Sequence, residues 1–110
     1  MAIKANLTID QGTDFVVTID VEDFNDVPFD LTGYSVAAQM RKNYAATSAI
    51  TFDARQLGAA GQIVLELTST QTSDIEPGRY LYDVEITDQI GKITRVIEGI
   101  ATVTPGITRI

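Results

Sequence analysis

The chain is 110 residues long, with 8 Lys+Arg against 15 Asp+Glu, and that length supports one domain with one modest core. A net charge of −7 argues against nucleic acid or an anionic membrane as partner, because both would be repelled. The absence of Cys and His excludes a disulfide framework, thiolate or imidazole metal sites, and every Cys- or His-based catalytic constellation.

No apolar run approaches the roughly 20 residues that cross a bilayer, and the first residues do not resemble a signal peptide, so synthesis in a cytosol is expected. The composition, 45% hydrophobic and 21% charged, is that of a globular protein.

A period of two runs along almost the whole chain. Ile3, Ala5, Leu7 and Ile9 alternate with polar residues and predict a first strand, which Gln11-Gly12 interrupts. Phe15, Val17, Ile19 and Val21 predict a second strand with that set facing inward. Asp23 to Pro28 reads as a loop. In Asp30-Leu31-Thr32-Gly33, Asp and Thr bond local backbone and Gly turns the chain into a strand with Tyr34, Val36, Ala38 and Met40 on one side. Residues 43–61 are the least decisive, with a short strand at Ile50–Asp53 and a flexible turn at Gly58–Gly61.

Ile63, Leu65 and Leu67 then predict a half-buried strand with Val64 and Glu66 facing the other way. Thr68 to Ile75 carries capping-type residues and reads as one turn of helix, ended by Glu76-Pro77-Gly78. Tyr80, Tyr82, Val84 and Ile86 form the inward face of the next strand, which a hairpin at Asp88–Gly91 joins to a last strand over Lys92–Thr104. The apolar phase of that last strand changes near Gly99, where a bulge is predicted.

The sum is an all-β chain: an antiparallel β-sandwich of seven to eight strands over residues 1–104, with a short tail at 105–110.

Few residues suggest chemistry. Asp20, Glu22, Asp23 and Asp26 cluster as a metal ion would require, yet they lack the spacing and central Gly of a helix-loop-helix calcium loop. The expected reading is a solvated hairpin, without metal or cofactor. Asp83 and Glu85 share a strand face, but an exposed pair lacks the apolar pocket that would tune an acid, so no enzyme is predicted. Tyr44 is the one tyrosine in an apparent loop and the residue on which a glycan would stack. In the tail, Ile107, Arg109 and Ile110 offer apolar knobs and a charge for contact with a neighbour.

The order of these segments also carries a resemblance. Phe29-Asp30-Leu31-Thr32-Gly33-Tyr34 through Arg41, then Gly61 to Leu67, then Pro77-Gly78-Arg79-Tyr80-Leu81-Tyr82-Asp83-Val84, and Glu98-Gly99 to Pro105 resemble the immunoglobulin-like domain of phage baseplate upper proteins. They are also similar to small virion proteins of tailed phages, cyanophages in particular. The resemblance spans about residues 5–105 and implies a non-catalytic module of the tail, baseplate or neck, made in the host cytoplasm and housed in the virion. Its partners would be other virion proteins, with further copies of itself in the particle, met through edge strands and termini. A capsid cement protein and a carbohydrate-binding module for host surface glycans are the rival expectations.

Overall fold

A computed structural model describes residues 3–22 and 25–107. Among these, nine strands and one turn of α-helix form two sheets packed as an immunoglobulin-like β-sandwich. The chain order is β1 (Ile3–Lys4), β2 (Leu7–Asp10), β3 (Phe15–Asp20), β4 (Ser35–Arg41), β5 (Ile50–Thr51), β6 (Asp53–Gln56), β7 (Gln62–Leu67), α1 (Ser69–Ser73), β8 (Gly78–Thr87) and β9 (Ile93–Thr104). The larger sheet runs β1-β9-β8-β4-β5, with β2 also on β9, and the smaller runs β3-β7-β6. Phe52, between β5 and β6, marks the point where the chain crosses from one sheet to the other.

The alternation in the sequence becomes the core. Ile63, Leu65 and Leu67 from β7 meet Met40, Tyr82, Val84, Ile86 and Val103 from the larger sheet, each at most 4% exposed. Phe52 holds Phe15 on one side and Tyr82 on the other in tilted and edge-on contacts, at centroid separations of 6.3 and 6.2 Å. Thr68 caps α1 by accepting the Gln71 N–H, and the Gln71 side chain accepts the Thr68 N–H in return. The Tyr80 hydroxyl donates to the Glu76 carbonyl at 2.6 Å, the tyrosine corner that closes the turn into the equivalent strand of immunoglobulin sandwiches.

Four details depart from the sequence reading. First, the sheets are mixed: β1 and β2 run parallel to β9, with Ile3 opposite Ile97 and Asp10 opposite Thr104. The first segment therefore lies alongside the last and covers its edge. Second, there are nine strands among the described residues, because the first segment is split in two and two short pieces flank Phe52.

Third, the bulge sits at Val96, not Gly99: Val84 pairs with Ile97 and Glu85 with Arg95, so Val96 is the extra residue, and Val96 and Ile97 are both fully buried. Gly99 serves close approach instead, since a Cβ there would lie 2.0 Å from the Ala5 carbonyl oxygen. Fourth, Val64 faces away from the core yet is only 4% exposed. Arg55 stands directly opposite it and pairs with Glu66 two residues along, a place from which an arginine stem covers its apolar neighbour.

Candidate functional site

The outward side of the larger sheet carries a groove of about 510 Å³. Strand register explains how it is built, because residues opposite one another on neighbouring strands share a face. One rung runs Lys4, Glu98, Asp83, Gln39 across β1, β9, β8 and β4. The next rung toward the C-terminal end of β9 runs Ile100, Leu81, Arg41. A polar rung therefore lies beside one whose centre is apolar.

Ile100 is 36% exposed and Leu81 is half-buried, so the two form an accessible floor. Tyr44, 87% exposed, stands at the rim in the loop that follows β4.

Local bonds hold these side chains in place. Arg95, opposite Glu85, donates from Nε to Asp83 Oδ2 at 3.1 Å and lies 3.5 Å from Glu98 Oε2, so its head joins the polar rung that borders Leu81 and Ile100. Each carboxylate keeps its second oxygen as an acceptor. Arg41 donates to the Ala46 carbonyl at 2.7 Å and to Gln39 Oε1 at 3.2 Å, tying the Tyr44 loop to the sheet.

At the opposite rim, Ala5 donates its N–H to the Glu98 carbonyl, and Asn6 Oδ1 accepts the Ile100 N–H at 3.1 Å, bridging the gap between β1 and β2. Beneath them the Tyr82 hydroxyl donates to the Ala5 carbonyl, and burial pushes that phenol up to about 12. Three cations (Lys4, Arg41, Arg95) and three carboxylates (Asp83, Glu85, Glu98) line the groove. It is charge-balanced on a chain of net −7.

Of the residues singled out in the sequence, Tyr44, Asp83 and Glu85 line the groove, and the others fall elsewhere. Asp20 is exposed and accepts from Gln62 Nε2 at 3.0 Å; Glu22 bridges to Pro28 through the backbone; Asp26 sits at φ 59°; and Asp23 lies outside the described residues. Among the described residues no group of three or more acidic side chains is placed to hold a metal ion.

Ile107 is 95% exposed, while Arg109 and Ile110 lie outside the described residues. Asp30 accepts the Thr32 N–H at 3.0 Å as its turn signal implied, and the Thr32 hydroxyl and N–H hold its carboxyl below the usual 3.8. Tyr44 lines the groove together with Asp83 and Glu85, the carboxylate pair that shares a strand face. Sequence reasoning missed Lys4, Gln39, Leu81, Glu98 and Ile100 as a group, because only cross-strand register brings four separate segments together.

No family model matches the chain, and no curated protein matches it. Among solved structures, an internalin-like protein of Listeria monocytogenes is similar in fold, with a TM-score of 0.52 at 18% identity over 94% of this chain. The chain spans 28% of the length of that protein.

Proposed function

We propose that this chain is a non-catalytic structural component of a tailed-phage virion, in the tail, baseplate or neck, that binds neighbouring proteins through an edge strand and its termini. The observation that carries the reading is the open edge of β3. Val21, next in line, donates its N–H to Gly61, which places the odd-numbered residues of β3 in the ladder with β7. Val16, Thr18 and Asp20 therefore direct their N–H and C=O groups away from the sheet, and Val16 is 61% exposed. Such an edge is a template for a strand from another chain.

The direction of the chain supports the same reading. It enters at the Ile97 end of β9 and leaves at the Thr104 end, with Ile107 held out to solvent, so contacts can form at both poles. The sequence resemblance falls on β4, β7, β8 and β9, the strands that build the sandwich.

Mass spectrometry and immunogold imaging of purified particles of the encoding phage test the proposal. The expected result is a fixed copy number with label at the tail, baseplate or neck. Absence from intact particles would overturn it, and label over the capsid shell would replace it with the cement role.

A further inference from the structure

The geometry points to a second property, a binding site for a neutral oligosaccharide in the groove of the larger sheet. A sugar ring would lie over Leu81 and Ile100, with its hydroxyls toward Glu98, Asp83 and Gln39 and Tyr44 stacked at the rim. This inference is independent of where the chain is housed.

Three observations carry it. The first is the amphiphilic floor. Neighbouring strands lie about 4.8 Å apart and same-face residues along a strand about 6.8 Å apart, so one polar and one apolar rung together span roughly the footprint of a pyranose. A pyranose has the matching division, an apolar C–H face rimmed by hydroxyls. Hydroxyls both donate and accept, and the polar rung offers carboxylate acceptors at Glu98 and Asp83, pre-oriented by Arg95, next to donors at Lys4 and Gln39.

The second is charge. The groove is balanced while the chain carries −7, so a polyanionic glycan or a nucleic acid would gain nothing in the groove and be repelled outside it. A neutral ligand incurs neither cost.

The third is shape. A groove of about 510 Å³ lies in the range of small-ligand sites, and two copies of one concave face brought together would leave a void between them. Tyr44, 87% exposed and held near the sheet through the Arg41–Ala46 bond, supplies a flat aromatic surface whose burial requires no rearrangement of the core.

The test is titration of nitrogen-labelled full-length protein with cello-, laminari-, manno- and maltohexaose, each to about 10 mM, followed by backbone amide shifts. At least one sugar should give saturable shifts centred on Leu81, Asp83 and Ile100. Tyr44→Ala should weaken that binding about tenfold with an unchanged melting temperature, and Gln39→Ala severalfold. A hyaluronan hexasaccharide, with its regular carboxylates, should bind more weakly.

Four results would overturn the inference: no saturable shift with any of the four sugars, shifts centred outside the groove, wild-type affinity in Tyr44→Ala, or tighter binding of the charged sugar. Shifts of the same amides on raising protein concentration alone would also overturn it, in favour of a second copy of this chain.

Discussion

The outer faces of the two sheets are made from similar residues and end up unlike one another. On the smaller sheet Arg55 stands opposite Val64 and pairs with Glu66 two residues along, and the outward-facing valine is buried. On the larger sheet Arg95 stands opposite Glu85 but is drawn sideways to Asp83 and Glu98, and the apolar pair Leu81 and Ile100 stays open to solvent. Both arginines are equally exposed and each makes an ion pair. What differs is the residue directly opposite each arginine, Val64 for Arg55 and Glu85 for Arg95. An arginine stem covers an apolar side chain that stands directly opposite it, and position rather than composition makes one face sealed and the other grooved.

Substitutions can break this contrast in order of severity. Gly99→Ala should be the most damaging, at about 3 kcal/mol by chemical denaturation, because its methyl would meet the Ala5 backbone and 3.1 Å away the Tyr82 ring. The N-terminal rim of the groove, Lys4 and Asn6, should loosen with it, visible as faster amide exchange at Ala5. Near-native stability would show that β1 does not need that close approach.

Tyr82→Phe comes next, at about 1 kcal/mol, through loss of the hydroxyl bond to Ala5. It also has a pH signature. The native state holds the phenol's proton more tightly than the unfolded chain, whose tyrosines titrate near 10. That contribution to stability is complete below about pH 10 and is lost as pH rises toward about 12. Burial, with Glu76 nearby, raises Tyr80 in the same direction. The variant should therefore show a shallower alkaline fall in melting temperature, and an unchanged profile would place the titrating group elsewhere.

The contrast itself is sharpened by a pair of changes. Arg55→Ala should cost about 1 kcal/mol, since it uncovers Val64 as well as breaking an ion pair, whereas Arg95→Ala should cost no more than about 0.5 kcal/mol. Equal losses in urea melts would remove the distinction drawn between the faces. Truncation after Thr104 should have the smallest effect, within about 2 °C of the wild-type midpoint by calorimetry, because among the described residues Gly106 is held by a long 3.3 Å bond from its N–H to Gln11 Oε1 and Ile107 is exposed.

Elements whose facing depends on their own alternation could be read directly from the residues. Tyr80, Tyr82, Val84 and Ile86 are buried as the period of two requires, and Thr68 with Gln71 forms the predicted helical turn. What sequence could not supply was relation between segments. The phase change in β9 was visible, but whether Val96 or Gly99 carried the extra residue depended on β8 and on where Ala5 approaches. Val64 followed the outward pattern and was still buried, with a residue nine positions earlier in the chain standing opposite it. The groove was hidden for the same reason, since Lys4, Glu98, Asp83 and Gln39 become neighbours only through three pairings.

The parallel run of β2 along β9 also has a mechanical consequence. Tension applied to the two ends of the described chain would slide these strands past each other in opposite directions, straining the pairs from Leu7–Ala101 to Asp10–Thr104 together and not one after another. Rupture by shear needs those bonds to fail at once, so a single-molecule stretching trace should show one high-force event, and removal of β1 and β2 should lower it sharply. A module wired this way resists being pulled lengthwise far better than being peeled from its side.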